Sequence, residues 1–203
     1  MAPIPKGDLQ FSAHADGLVL FCHGTGSDHH SPRNRAVAEV LQGAGLATWL
    51  LDLRRATDQS ELDLLLAAID AVDENPSLSG KPVGLFGASS GAAIALQGAA
   101  DRPARIATVV SRGGRPDLAG ASLERVRCPV LLMVGALDQQ VVQLNRRAAA
   151  RLHCPYKVVL LEGAGHLFEQ PGAMDAVGEL SRQWFMQLMC RSDLQSASEV
   201  LGL

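Results

Sequence analysis

The sequence predicts an α/β fold with a mostly parallel, doubly wound sheet of about six to seven strands and helices on both faces. Short apolar runs alternate along the chain with segments whose apolar residues recur every three or four positions. The runs are continuously apolar rather than alternating, which is typical of parallel strands buried on both faces. The helical segments between them supply the crossovers that parallel strands require.

The order of the elements follows from these runs. Predicted strands cover residues 18–22, 47–53, 82–86, 106–110, 130–134 and 158–161. Predicted helices cover residues 37–44, 62–72, 92–96, 141–152 and 173–188. The segment 62–72 has the clearest amphipathic pattern. Because right-handed crossovers place the carboxyl ends of parallel strands at one edge, we expect ligands to bind at that edge.

Composition favours one globular domain over residues 1–190, followed by a polar tail at 191–203. The chain has 203 residues, of which 47% are hydrophobic and 19% charged, with a formal net charge of −3. Its basic residues are scattered, so we expect neither nucleic acid nor an anionic membrane surface as a partner. We also expect no signal peptide and no membrane span, because no apolar run is long enough.

The cysteines and histidines predict neither a disulfide framework nor a metal site. Cys22, Cys128, Cys154 and Cys190 are widely spaced without a CxxC pair, which favours reduced thiols in a cytoplasmic protein. The adjacent residues His29 and His30 are interpreted as part of a solvated loop, although a metal site is the alternative. No phosphate loop of the nucleotide-binding type is present, and we expect no cofactor.

The most informative motif is Gly87-Ala88-Ser89-Ser90-Gly91, which lies between a predicted strand and a predicted helix. A sharp turn at this point projects a serine hydroxyl from the top of the sheet, and the glycines avoid side-chain clashes. Ser89 is therefore the predicted nucleophile. The alternatives are a helix-capping role for Ser89, or Ser90 as the nucleophile, although only Ser89 has glycine at both flanking offsets.

Two further strands end in residues that can activate a serine. Asp138 follows the strand at 130–134 and His166 follows the strand at 158–161. A histidine base takes the hydroxyl proton, and a carboxylate on its other ring nitrogen fixes the tautomer. Asp138 as a helix cap and His166 as an ordinary loop residue are the alternatives, and Glu162 is a substitute acid.

An oxyanion site is predicted where the first long strand ends in His23-Gly24-Thr25-Gly26. The backbone N–H groups of Ser90 and Thr25 are the expected donors. His23 is a candidate for supporting this loop or contacting substrate.

Arginines near the same edge could hold a substrate carboxylate. Arg112 is the main candidate and Arg115 the second; pairing with Asp117 or Glu124, or exposure to water, is equally compatible with the sequence. Arg33 and Arg35, at the start of a helix, have the same ambiguity.

These motifs together resemble the α/β-hydrolases, and within them the small dienelactone-hydrolase-like esterases. The matching segments are His23-Gly24-Thr25-Gly26, Gly87-Ala88-Ser89-Ser90-Gly91, Gly135-Ala136-Leu137-Asp138 and Gly163-Ala164-Gly165-His166. The resemblance covers roughly residues 18–185 and has the order serine, acid, histidine. Dienelactone hydrolases proper carry a cysteine nucleophile where this chain has Ser89. The amino-terminal segment is too short for a full set of leading antiparallel strands, and we expect a reduced sheet.

The predicted function is that of a serine hydrolase acting on small soluble carboxylic esters through an acyl-enzyme. Fewer than twenty residues separate the strands at 106–110 and 130–134, so we expect no cap domain and a site open to solvent. The alternatives are hydrolysis of amide, thioester or lactone bonds, acyl transfer, and a catalytically silent protein that binds a ligand. The only partner predicted is a small-molecule ester.

Overall fold

The chain folds around one seven-stranded sheet. The computed structural model describes residues 4–11, 14–54 and 60–190, so the predicted tail at 191–203 lies outside the described residues. The strands are β1 (Gly7–Gln10), β2 (Leu18–Cys22), β3 (Ala47–Leu51), β4 (Val83–Ala88), β5 (Ile106–Arg112), β6 (Val130–Gly135) and β7 (Tyr156–Leu161). The helices are α1 (Pro32–Gly43), α2 (Glu61–Val72), α3 (Gly91–Asp101), α4 (Gln139–Ala149) and α5 (Ala173–Met189).

The strand order is β1-β3-β2-β4-β5-β6-β7, and only β1 runs antiparallel to its neighbour. The predicted mostly parallel α/β fold is therefore confirmed. The chain order reverses between β2 and β4, which creates the crevice where ligands bind in such sheets. The sequence did not predict β1, because this four-residue edge strand is partly exposed and has no continuous apolar run.

Two cores cover the two faces of the sheet. Along β2, Leu18, Leu20 and Cys22 face the core formed with α2 and α3, whereas Val19 and Phe21 face the core formed with α1 and α5. This division follows from the alternation of side chains along a strand. Both faces of β2 are thus buried, as its continuous apolar pattern predicted.

Helix α5 is held against the sheet by packing and by a buried hydrogen bond. The indole Nε1–H of Trp184 donates to Thr108 Oγ1 on β5 at 2.7 Å. Nearby, a Cβ at Gly84 would lie 2.6 Å from the ring of Phe185, so a glycine is needed for this close approach. In the described parts of the chain, no helix has the length and hydropathy that crossing a bilayer requires.

The connection from β5 to β6 is short and carries no cap domain, as predicted. It contains a 3₁₀ segment, Pro116–Arg125, that is kinked at Gly120 and packs against α3. Gly120 has φ 56° there, a left-handed conformation that glycine adopts without penalty.

The turn from β4 into α3 is packed tightly against its surroundings. Added methyl groups would collide with the backbone of Ala92 at Gly87 and with the backbone carbonyl of Cys22 at Gly91. Between them Ser89 has φ 52°, in the left-handed region that non-glycine residues seldom occupy. The glycines of this motif are therefore required by steric contact with backbone atoms, which cannot move aside as a side chain can.

We expect Gly91→Ala to lower the free energy of unfolding by about 2 to 3 kcal/mol, because the new methyl overpacks against the end of β2. Gly43→Ala is the matched control, since an added Cβ there meets nothing within 4 Å. Urea denaturation of both variants measures the difference. Equal stability of the two variants would contradict this account of the turn.

Candidate active site

Ser89 lies at the carboxyl end of β4, on the strained turn. Its N–H donates to the carbonyl of Arg112 at 3.2 Å, and its own carbonyl accepts the N–H of Arg115 at 2.9 Å. Both contacts connect the turn to the end of β5. A Cβ at Gly24 would lie 3.0 Å from Ser89 Cβ, so glycine lets the loop after β2 approach the serine.

His166 and Asp138 are joined by a short hydrogen bond, although they are 28 residues apart. The Nδ1 atom of His166 lies 2.7 Å from Asp138 Oδ2. The other carboxylate oxygen, Oδ1, accepts the N–H of Val141 at 3.3 Å and caps α4. The capping role that the sequence left as an alternative for Asp138 therefore coexists with its contact to the imidazole, because each role uses a different oxygen.

The loop that carries His166 is fixed against the end of β6. The N–H of Leu137 donates to the carbonyl of Ala164 at 3.0 Å, and a methyl group at Gly135 would collide with the carbonyl of Gly165. Phe168, two residues beyond the histidine, is buried with φ 56°. A phenylalanine in this conformation is strained, and such strain is characteristic of functional loops.

Ser89 and His166 line the same cavity, which has a volume of about 250 Å³. Within the described residues, no hydrogen bond joins Ser89 Oγ to His166 Nε2, a separation that is common in ligand-free sites. Glu162, the predicted substitute acid, is exposed and lines a different cavity. The carboxylate that contacts the imidazole of His166 is therefore that of Asp138 and not that of Glu162.

The two predicted oxyanion donors lie together but differ in their hydrogen bonds. Ser90 stands at the amino end of α3, and its N–H has no partner among the described residues. The N–H of Thr25, however, donates to Ser90 Oγ at 2.8 Å, and the two hydroxyl oxygens lie 3.0 Å apart. The sequence predicted the Thr25 N–H as an oxyanion donor, but no local pattern indicated that the Ser90 side chain faces this loop and accepts that N–H.

His23 supports the loop after β2 and does not face the cavity. The residue is buried, Nε2 accepts the N–H of Leu53 at 2.9 Å, and Nδ1 lies 3.0 Å from the carbonyl of Gly24. These partners assign the proton to Nδ1. The geometry corrects the predicted substrate contact of His23, because backbone groups occupy both nitrogens, and it matches the alternative of a supporting hydrogen bond.

Arg112 is a buried cation at the carboxyl end of β5. Its Nη2 donates to Asn34 Oδ1 at 3.3 Å, its guanidinium lies 5.8 Å from the centre of the Phe168 ring, and its Nε has no partner. No carboxylate among the described residues pairs with it. Burial, followed by the nearby charge of Arg33, lowers the pKa of Arg112 to about 10.

Of the other arginines considered above, two form ion pairs and one lines the cavity. Arg115 pairs with Asp117 at 2.8 Å, so the ion-pair alternative holds for it, and Arg35 pairs with Asp8 at 3.3 Å. Arg33 lines the cavity with Asn34. Sequence reasoning missed Asn34, although an asparagine on the helix face of Val37, Ala38 and Leu41 was a detectable signal of a buried polar contact.

The segment around His29 lies against the carboxylate of Asp52. His29 Nδ1 lies 3.5 Å from Asp52 Oδ2, and Arg54 pairs with the same carboxylate at 2.6 Å. The hydrogen bond from Arg54 lowers the pKa of Asp52 to about 2. Within residues 4–11, 14–54 and 60–190, no three His, Cys, Asp or Glu side chains are grouped as a metal site requires. The four cysteines are free thiols.

Comparisons with known proteins agree with this architecture. The structure is similar to the crystal structure of a dienelactone hydrolase from Anabaena variabilis, with 44% identity, a TM-score of 0.86, and coverage of 90% of this chain and 91% of that one. It also has the fold of Est1E from Butyrivibrio proteoclasticus, solved with bound ferulic acid, at 15% identity and a TM-score of 0.79 over 92% of this chain and 96% of that chain.

A curated relative from Mycobacterium tuberculosis is 45% identical over 199 residues and is named as a phosphoribosyl transferase. The alignment covers 93% of this chain but 45% of the relative, so the chain spans less than half the length of that protein. The family model described as the dienelactone hydrolase family matches residues 42–188. The chain therefore belongs to the dienelactone hydrolase family.

Proposed function

We propose that the protein is a serine hydrolase that cleaves small carboxylic esters through an acyl-enzyme. One observation supports this most strongly: Asp138 holds Nδ1 of His166 at 2.7 Å while His166 lines the same cavity as the strained Ser89. A carboxylate in this position fixes the imidazole with Nε2 unprotonated, as a general base requires. Ser89 is the proposed nucleophile because the family's cysteine position is occupied here by a serine.

The reaction proceeds in two halves. His166 Nε2 takes the proton of Ser89 Oγ as that oxygen attacks the ester carbonyl, and it then returns the proton to the departing alcohol. In the second half, His166 takes a proton from water as the water oxygen attacks the acyl carbon, and it then returns this proton to Ser89 Oγ as the bond between that oxygen and the acyl carbon breaks. Asp138 stabilises the imidazolium formed in each half without itself accepting the proton.

The proposed oxyanion site uses the N–H groups of Ser90 and Thr25. The Ser90 N–H has no partner among the residues that the structure describes, and it lies at the amino end of α3, where the helix dipole favours negative charge. The Thr25 N–H becomes available when Ser90 Oγ rotates away from it. Each such donor contributes about 3 kcal/mol to stabilising the transition state.

The cavity favours compact substrates. It has a volume of about 250 Å³, and the short connection through Pro116–Arg125 provides no cap to enclose a long acyl chain. The four free thiols support the proposed cytoplasmic location. The transferase name belongs to the longer mycobacterial relative, of which the alignment covers 45%.

We expect Ser89→Ala to reduce turnover of p-nitrophenyl acetate by about 10³-fold or more, because the acyl-enzyme cannot form. A fluorophosphonate probe is expected to label the wild-type chain and Ser90→Ala but not Ser89→Ala. Labelling that persists in Ser89→Ala would exclude Ser89 as the nucleophile. A folded wild-type protein that resists the probe would favour the catalytically silent alternative.

Product analysis with added alcohols or amines separates hydrolysis from acyl transfer, and thioester, amide and lactone substrates define the bond cleaved.

Asp138→Asn separates the two roles of that side chain. Asparagine keeps a side-chain acceptor for the cap of α4, but it favours the wrong tautomer of His166, so kcat is expected to fall by about 10³- to 10⁴-fold with little change in melting temperature. Steady-state kinetics and thermal unfolding of the same preparation measure both effects. A variant of normal stability with undiminished kcat would exclude the orienting role.

A further inference from the structure

We propose that the cavity beside Ser89 binds a phosphate group of the substrate, held by Arg112, Arg33 and the first turn of α1. This inference deepens the proposed function, on which it rests: the esters cleaved would be acyl esters of small phosphorylated alcohols.

The main support for this site comes from the buried guanidinium of Arg112. Its side chain is buried, yet its Nε has no hydrogen-bond partner and no carboxylate in the described parts of the chain neutralises it. A guanidinium removed from water without a counter-ion is costly. Asn34 Oδ1, which lies 3.3 Å from Nη2, is a neutral acceptor and does not neutralise the positive charge of Arg112. An anion in the cavity would supply the missing partner.

A second cation faces the same space. Arg33 lines the cavity, its Nε is buried without a partner, and its charge is close enough to lower the pKa of Arg112. Two uncompensated guanidiniums repel each other, and a shared anion converts this repulsion into two attractive contacts. None of the described residues that line the cavity is an aspartate or a glutamate.

The amino end of α1 adds to this positive field. Ser31 caps the helix by accepting the N–H of Asn34 at 3.4 Å, and Pro32 has no N–H. The N–H of Arg33 has no partner among the described residues and remains available to an anion. Helix α1 has twelve residues, long enough for its dipole to favour negative charge at this end.

The charge count favours a dianion over a single carboxylate. Two arginines and a helix terminus present more than two positive charges, of which a carboxylate neutralises one, whereas a phosphate monoester carries about two negative charges at neutral pH. Guanidinium groups also match the oxygens of phosphate in paired hydrogen bonds. Because Ser89 and both arginines line one cavity of about 250 Å³, the phosphate and the ester carbonyl must be only a few bonds apart.

Calorimetric titration of the Ser89→Ala variant tests the binding site without depending on turnover. Inorganic phosphate and sulfate are expected to bind at least about tenfold more tightly than acetate, because both are dianions with tetrahedral oxygens. Acetate binding as tight as phosphate would overturn the choice of phosphate. No binding of any of the three anions would overturn the site itself.

Variants on one helix provide a matched pair. Arg33→Gln is expected to weaken phosphate binding by about tenfold, whereas Arg35→Gln, which removes the ion pair with Asp8 outside the cavity, changes it less than twofold. Arg112→Lys keeps the positive charge and Arg112→Met removes it, so the two variants separate the effect of the charge from that of the guanidinium shape. Thermal unfolding confirms that each variant is folded. If Arg112→Met does not fold, the comparison of Arg33→Gln with Arg35→Gln still tests the proposal. Equal phosphate affinity in these two variants would overturn it.

A pair of substrates separates this inference from the proposed function. We expect kcat/KM for 1-acetylglycerol 3-phosphate to exceed that for 1-acetylglycerol by at least tenfold in the wild type, and this ratio to fall towards one in Arg33→Gln. Equal hydrolysis of both esters would leave the esterase proposal intact and overturn the phosphate site. Phosphate binding without hydrolysis of either ester or of p-nitrophenyl acetate would instead overturn the proposed function.

Discussion

The close packing of the β4–α3 turn against the end of β2 is the constraint on which the site depends. Glycines at 87 and 91 leave no room for a methyl group beside the backbone of Ala92 and Cys22. The chain must therefore turn within a few residues, and Ser89 is forced to φ 52°. Hydrogen bonds from this turn to Arg112 and Arg115 connect it to the end of β5. The position of the serine, the amino end of α3 and the cavity wall all follow from this one contact.

Charge is distributed unevenly around this turn. The carboxylate of Asp138 lies 2.7 Å from Nδ1 of His166 and also caps α4. The opposite wall carries Arg112 and Arg33 without carboxylate partners among the described residues. Most other arginines of the described chain have acidic partners on the surface, such as Arg102 with Asp70. Arg112 and Arg33 thus differ from these paired arginines, and both line the same cavity as Ser89.

Much of the fold was predictable because its signals are local. Continuous apolar runs indicated six strands, and the four loops at their carboxyl ends indicated Ser89, Asp138, His166 and the glycine-rich loop. The structure adds β1, whose four partly exposed residues carry no apolar run and are defined by pairing with β3. It also assigns His23 to the backbone of Leu53 and Gly24. A pattern of residue types could not distinguish this role from a substrate contact, because both place a histidine beside the same loop.

The sequence by itself determined the order of β2 to β7 and of the five helices, the apolar faces that form both cores, and the residue types at the edge of the sheet. These properties depend on periodicity and on turn residues, which act over a few positions along the chain. Only the tertiary structure shows that Ser90 Oγ accepts the N–H of Thr25 and that Asn34 contacts Arg112. It also shows that one oxygen of Asp138 caps α4 while the other contacts His166. These contacts join residues up to 78 positions apart. They are fixed by how the loops and helix ends meet at the sheet edge, which no local pattern encodes.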